Sequence, residues 1–519
     1  MQRARQRVIR FLAEQAAKSA RQPIRLIYTP YRILRRFLTT ALHYCLVVAV
    51  RLNLPVAVIP KFLAPAEAEY QIRRAQELLD DNRPKESWNA FKRGLEFTDD
   101  PSRLKIAAVC LHVGLGRMRE AIKLYRRSNQ VRMARSASAK ISIDEGCCIL
   151  DDFWALHIGH SAQIDYVVKL RMLNGNKPDQ TILYVPRLSG SANRFLIEQW
   201  RSHLRVLTGS ELPFSKKLID SLALDFYVQD VPGKGTFYMW EVAALTYRRW
   251  AAEGRAPILK LSEDVKNLGR EALASVGVPR DAWFVGLHVR EPHFQTHHRD
   301  LHGVLNAKIE DYLPAIREIT RMGGWVIRMG DPSMSPLAPL PNVLDYCHSS
   351  VRSDWMDVFL CAVSRFFIGT ASGVCYVAND YGIPCLLTNW WPPAQRPWHA
   401  CDIFIPKVLR RMKDGRMLSL EESLNEPFGY CNSVAYLQEE HGVSVQDNDP
   451  EDIRAAVIEM LERVEGRAVY DADDVAKREC AEHTYASVAM QLYGSPAAFG
   501  AGSLAREFVR RNPCFVEPR

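Results

Sequence analysis

Trp283-Phe284-Val285-Gly286-Leu287-His288-Val289-Arg290-Glu291 is the stretch on which the fold turns. An apolar run of strand length carries no polar alternation, so both of its faces are buried. It then delivers an arginine and a glutamate at its carboxyl end. Strands buried on both faces belong to parallel sheets covered by helices, and such sheets bind ligands beyond their strand ends. Downstream the pattern recurs. Further strands are expected at Trp325–Met329, Val343–Tyr346, Arg365–Ile368 and Pro384–Thr388, with helices at Ile309–Met322, Trp355–Ser364 and Gly373–Tyr381 between them. Asp449, Pro450 and Glu451-Asp452 open a last helix, expected to run to Val464, with an N-cap, a first-turn proline and acids at the positive end of the dipole.

Upstream a first alternating series starts near residue 145. Phe153-Trp154-Ala155-Leu156-His157-Ile158 is expected as a strand that runs into Gly159-His160-Ser161 and a helix over Ile164–Leu173. A strand at Thr181–Val185, a polar loop through Asn193 and an amphipathic run at Phe195–Leu204 follow. The expected fold class is therefore α/β, with two Rossmann-like halves facing a cleft.

Ahead of both halves, residues 66–128 read as four helices. Arg83 and Glu86 recur 34 residues on as Arg117 and Glu120, and 34 is the tetratricopeptide period. Two such units bury little core alone, so they are expected to dock on the body or on a partner. A plain helical linker is the other reading. The expected domains are a basic and apolar segment at 1–65, a tetratricopeptide-like module at 66–140, Rossmann-like halves at 145–275 and 276–480, and a helical tail at 481–519.

The chain has 519 residues, of which 47% are hydrophobic and 24% charged, which excludes a disordered or polytopic membrane protein. Its net charge of +9 is localised. Residues 1–37 carry ten basic side chains and one acid, while the remainder balances at 58 against 58. A basic tail on a neutral body does not point to nucleic acid as the partner. The tail adjoins an apolar stretch, Leu42 to Leu63, broken by Arg51, Pro55 and Pro60. Peripheral attachment to the inner, cytoplasmic face of a membrane, packing against the body and a true span are the three readings, the first preferred. Twelve cysteines without C-x-x-C spacing, several inside apolar runs, suggest buried thiols in a reducing compartment.

Three strand-end features describe a nucleotide-diphosphate pocket. Arg290 offers a fixed cationic fork. The strand Val326-Ile327-Arg328-Met329-Gly330-Asp331 ends on a carboxylate suited to a ribose hydroxyl or a base N–H. Phe367-Ile368-Gly369-Thr370-Ala371-Ser372-Gly373 reads as a strand, a small-residue turn and a helix start, which is an anion site.

His288-Val289-Arg290, with the Asp331 and Thr370-Ala371-Ser372-Gly373 segments, resembles the motif set of the GT-B fucosyltransferase superfamily (the α1,6- and protein O-fucosyltransferases). A longer run is similar to a bacterial family assigned as glycosyltransferases within that group. The matching pieces are Ile158-Gly159-His160, Asn193-Arg194-Phe195-Leu196, His288 to Glu291, Asp311 to Ile316, Gly323 to Asp331 and Ile405-Pro406-Lys407. In that family an Arg-Asn pair precedes the Asp-Tyr-Leu-Pro helix, and this chain carries Leu305-Asn306 there instead. The resemblance implies an inverting, metal-independent glycosyltransferase with no cofactor, using a nucleotide sugar, most simply a GDP-sugar, and a glycan, lipid-linked glycan or protein acceptor. It implies donor contacts from His288, Arg290, Arg328, Asp331, Thr370, Ser372 and Gly373, and acceptor contacts near Gly159, His160 and Asn193. Arg290 would stabilise the leaving diphosphate, with Glu291 or Asp300 as general base.

Other features stay open. His288, His293, His297, His298 and His302 crowd one loop, and two pairs have the i, i+4 spacing that can hold zinc. A polar loop for sugar hydroxyls is the preferred reading. Trp390, Trp391 and Trp398 fit either a sugar-stacking lip or a buried anchor. Beside the transferase stand two further readings, a scaffold built on an inactive sugar-nucleotide fold and an epimerase or hydrolase of the donor.

Overall fold

A computed structural model describes residues 64–138, 146–209, 219–220, 222–231, 235–292, 301 and 303–517 of the chain. Two parallel sheets organise it. The first holds β1 (Cys148–Leu150), β2 (Thr181–Val185) and β3 (Arg205–Thr208) in the order 1-2-3. An antiparallel pair, β4 (Val228–Val231) and β5 (Gly235–Tyr238), follows it. The second sheet contains β6 (Phe284–His288), β7 (Trp325–Arg328), β8 (Val343–Asp345), β9 (Phe367–Gly369), β10 (Cys385–Trp390) and β11 (Ile403–Pro406). After the antiparallel pair β12 (Val408–Arg411) and β13 (Val443–Gln446), a seventh strand, β14 (Ser503–Leu504), joins it.

The order of the large sheet is β14-β11-β10-β9-β6-β7-β8, and every pairing in it is parallel. The chain starts at β6, winds outward through β7 and β8, then returns to the other side of β6 at β9. That is the doubly wound Rossmann order, with its switch point between β6 and β9. With the smaller parallel sheet before it, the architecture is the expected GT-B pair of Rossmann-like halves behind a helical module. One continuous apolar core runs from Ala108 to Val516 through both halves.

The helical module docks on the body. Its helices pair as Ala64–Asp80 with Pro84–Leu95, and Pro101–Val109 with Met118–Ser138. Arg83 pairs with Glu86 at 3.0 Å, and Arg117 with Glu120, so the repeated residues make the same i, i+3 ion pair at the same place in each unit. Toward the second half, Asn432 donates its N–H to Val113 O at 2.7 Å and Lys85 pairs with Glu440 at 2.8 Å. Gly116 (φ +63°) lies so close to Pro427 that a Cβ would sit 1.9 Å from its carbonyl oxygen. Toward the first half, Tyr125 stacks on Tyr227 and Lys105 pairs with Asp225 at 3.2 Å.

Two expectations are corrected. Phe153–Ile158 is not a strand: Phe153–Leu156 and Ile158–Ala162 are short helices, and the strand is the preceding Cys148–Leu150. The amides of Trp154 and Ala155 bond back to Asp151 and Asp152, which closes the turn and ends the extended backbone. Residues 481–519 are not a separate tail either. The helix Ala472–Tyr493 runs straight through 481, β14 pairs with β11, and the helix Arg506–Arg511 packs on Pro450–Val464.

The basic and apolar segment, residues 1–63, lies outside the described residues, as do Asp300 and the histidines at 293, 297, 298 and 302. Among the described residues no helix is long and apolar enough to cross a membrane. The eleven described cysteines are free thiols.

Candidate functional site

The switch point is where the sequence placed its chemistry. β6 pairs with β9 from Gly286↔Phe367 to His288↔Gly369, and Gly286 is required because a Cβ there would strike the Phe367 ring at 2.6 Å. The bonding continues past the strand ends. Thr370 N–H donates to His288 O at 3.2 Å, and Arg290 N–H donates to Thr370 Oγ1 at 3.2 Å. Ala307 N–H holds Arg290 O at 3.0 Å. The backbone of Arg290 is thereby pinned beside Thr370, whose side chain is fully buried. The guanidinium is partly buried, and burial lowers its pKa without removing its charge.

His288 lies in the same step. Its Nδ1 is enclosed without a hydrogen-bond partner among the described residues, and burial, with the Arg290 and Arg328 charges, lowers its pKa to about 4. The imidazole is neutral at physiological pH and can donate or accept one bond at the strand end.

β9 runs through Thr370-Ala371-Ser372 into the helix Gly373–Asp380. Ser372 sits at the N-cap with extended backbone, and its hydroxyl makes no capping bond. The first amides of this helix and that hydroxyl lie at the turn where the sequence suggested an anion site.

Gly373 also meets the first half. A Cβ on Gly373 would lie 2.5 Å from Gly159 N and 2.6 Å from Gly159 Cα, so the two backbones touch. Gly159 is the second residue of Ile158–Ala162, the second short helix after β1, and Gly373 begins the helix after β9. The carboxyl ends of β1 and β9 therefore lead to one junction, and the structure brings Gly159 and Gly373 together from opposite halves. His160 is next to it, donating from Nδ1 to Phe153 O (3.0 Å) and packed against Phe153, His157 and Phe226. Burial lowers its pKa to about 4.

Three predicted site residues have other work. Arg328 is fully buried between two carboxylates, with Nη2 2.5 Å from Glu291 Oε1 and Nη1 3.1 Å from Asp345 Oδ1. It also donates to Ser335 O at 2.7 Å. Glu291 accepts from Ser335 N–H on its second oxygen at 3.0 Å. Arg328 thus braces the Arg290 loop from beneath, and Glu291 is its ion-pair partner. Asn193 is 1% exposed. Its Oδ1 caps the helix Arg194–Gln199 at Leu196 N–H (2.8 Å), and its Nδ2 donates to Asp354 O at 2.8 Å. Both ends of the amide are used in tying the halves together.

Asp331 ends the β7 segment as an Asx turn, accepting from Ser333 N–H at 2.9 Å. Burial opposes its charge, but the Ser333 amide and Arg352 hold its pKa below the usual carboxylate range. The three tryptophans are anchors. Trp390, Trp391 and Trp398 are buried, and their indole N–H groups donate to Gln395 O, Cys431 O and Trp240 O.

Beside Glu291 and Pro292 opens a cavity of about 490 Å³, edged by Asn306, Lys308, Glu310, Lys407 and Asp447. Lys407 donates to Asn306 O at 2.8 Å and pairs with Asp447. The volume suits a nucleotide-sized ligand. Lys308 and Asp447 carried no signal in the sequence, since a cavity wall is assembled from segments 140 residues apart.

No protein-family profile matches the chain, and no curated protein matches it. Among the solved structures that match, three align with about half of it. The bacterial iron-containing dodecameric glycosyltransferase TibC from enterotoxigenic E. coli shares 11% identity over 48% of this chain and 59% of its own, with a TM-score of 0.27. Dodecameric iron-containing heptosyltransferase TibC in complex with ADP-D-beta-D-heptose gives 12%, the same coverage and a TM-score of 0.28. A glycosyl transferase family 9 protein from Veillonella parvula gives 12% over 48% of this chain and 68% of its own, at 0.24. Superpositions this loose carry no argument about activity.

Proposed function

We propose that this chain is a glycosyltransferase that moves a sugar from a nucleotide sugar to a hydroxyl of a glycan, lipid-linked glycan or protein acceptor. The observation that carries this reading is the convergence, at the β6/β9 switch point, of a pinned arginine with a helix N-terminus. In open α/β sheets that is where phosphorylated ligands sit. Arg290, Ser372 and the first amides after it would hold the donor diphosphate, and the cavity beside Glu291 would take the nucleoside.

Transfer is proposed as direct displacement with inversion. The acceptor oxygen forms a bond to the anomeric carbon while the bond to the diphosphate oxygen breaks. The diphosphate leaves with the electron pair, and the acceptor proton passes to a base. Arg290 offsets the charge that develops on the leaving group, a contribution of about 10²–10³ in rate for comparable donors. Asp300 is the remaining sequence candidate for the base. A GDP-sugar donor, independence of a metal at the diphosphate, a tetratricopeptide character for the helical module and attachment of the basic N-terminus to a membrane surface are part of this proposal.

The test is thermal stabilisation by GDP, UDP, ADP and dTDP, with and without magnesium. A ligand at a hundredfold excess over Kd stabilises by about 2.7 kcal/mol. A selective, metal-independent shift with GDP that disappears in Arg290→Ala is expected. No shift with any of the four, from folded protein, would sink the reading. It would favour the scaffold instead, to which the engagement of both Glu291 carboxylate oxygens already lends itself.

A further inference from the structure

β8 ends at Asp345, and the chain passes at once into a single 3-10 turn, Tyr346–His348. In such a turn residues three apart lie on one side, which sets His348 over Asp345. His348 Nδ1 is 3.0 Å from Asp345 Oδ2. Cys347 Sγ is 3.1 Å from Asp345 Oδ1 and 3.2 Å from His348 Nδ1. A carboxylate, a thiol and an imidazole, supplied by four consecutive residues, thus point their ligand atoms at one spot, all within 4.8 Å of one another.

We propose that Asp345, Cys347 and His348 form a binding site for a divalent transition metal of the zinc class. Tetrahedral zinc with bonds of about 2.0–2.3 Å to N, O and S separates its ligand atoms by roughly 3.3–3.6 Å. The observed spacings are a few tenths of an ångström shorter, as expected where protons fill the place of the ion. Binding expels the thiol proton and the imidazole Nδ1 proton position becomes the metal bond, the neutral tautomer keeping its hydrogen on Nε2.

The surroundings suit a cation. Arg328 lies between Glu291 and Asp345, so those three carry one net negative charge, and a Cys347 thiolate makes it two. A divalent ion balances that sum. Asp345 is oriented from behind by Arg328 Nη1 at 3.1 Å and by Leu337 N–H at 2.9 Å, the outer-shell bonding typical of metal carboxylates. Asp345 and His348 are 20% and 30% exposed, so an ion enters from solvent and water takes the fourth position. A turn held only by hydrogen bonds would gain nothing from sulfur at 347, because a thiol is a weak donor. None of the three ligands is among the residues proposed to hold the donor, so the site stands whether or not the chain transfers a sugar.

The experiment is titration of reduced, full-length protein with Co²⁺ and Zn²⁺, read by absorption and by competition with a chromophoric chelator. One Co²⁺ per chain with a thiolate charge-transfer band is expected. Cys347→Ser should abolish the band, and His348→Ala, an accessible change that leaves the fold intact, should weaken Zn²⁺ about tenfold or more. Cys514→Ser, at an exposed cysteine, should change neither. Absence of the band overturns the proposal. So does a band that survives Cys347→Ser, or affinity that survives both substitutions, which would place the metal elsewhere.

Discussion

Replacing Gly373 with alanine tests whether the two halves meet as described. The new Cβ would stand 2.5 Å from Gly159 N, 2.6 Å from Gly159 Cα and 3.3 Å from Ile158 Cγ2. The first two are backbone atoms, so no rotamer change relieves them. Ordinary contact needs about 3.5–4.0 Å between carbons, so the two helix starts must part by roughly 1 Å. Overpacking of this kind costs about 1–3 kcal/mol. The same displacement moves the helix N-terminus that would hold the donor diphosphate, so nucleotide binding should weaken along with stability. Urea unfolding and nucleotide titration on the same samples read both effects. Gly190→Ala is the control, since a Cβ there meets none of the described residues within 4 Å. Gly159→Ala should behave like Gly373→Ala, its Cβ lying 2.9 Å from Gly373 Cα. Because both singles spoil one contact, the double variant should cost less than the sum of the two. Gly373→Ala indistinguishable from Gly190→Ala in midpoint and affinity would refute the close approach.

Two further outcomes follow from buried charge. Arg328→Met strands Glu291 and Asp345 without their cation and should cost about 3–5 kcal/mol in urea unfolding; a loss under about 1 kcal/mol would show that the brace is not formed. Glu241 is fully buried, and burial raises its pKa to about 8 against the bonds from Tyr493 and Tyr430. The folded state then keeps a proton that the unfolded state has released, so this group makes stability fall as pH rises from its unfolded value of 4.5 toward about 8, and level off beyond. Glu241→Gln should remove that slope; unfolding curves that stay parallel to the parent's between pH 5 and 8 would contradict it.

Most of the large sheet was legible because its strands are apolar runs between glycines and prolines. β2 was read at its exact bounds, and β6 to β10 within two residues. Asp449 caps its helix at Glu451 N–H as its spacing suggested. The failures have one cause, pairing with distant chain. β1 is three residues long and too short to signal, so the louder apolar run after it was taken for the strand. A buried helix turn and a buried strand look alike over six residues. β14 has two residues and exists through its register with β11, Ile403↔Ser503, a hundred positions away.

The candidate site divides along the same line. Thr370-Ala371-Ser372-Gly373 after an apolar run is a local signal, and the turn into a helix is where it was expected. The roles of the charged residues are not local. Arg290 and Arg328 each stand at the end of a buried strand, and nothing within a few residues separates them. Register does. β7 and β8 align Arg328 with Asp345, and the loop after β6 brings Glu291 to its other side, so two carboxylates close on it. β6 and β9 align His288 with Gly369, which places an uncharged hydroxyl, Thr370, on the Arg290 backbone. An acid supplied by the neighbouring strand makes a brace of one arginine, and a hydroxyl and a helix start beside the other make a candidate anion site. The difference is decided by which strand returns next to which, and in a doubly wound sheet that choice is made at the switch point itself.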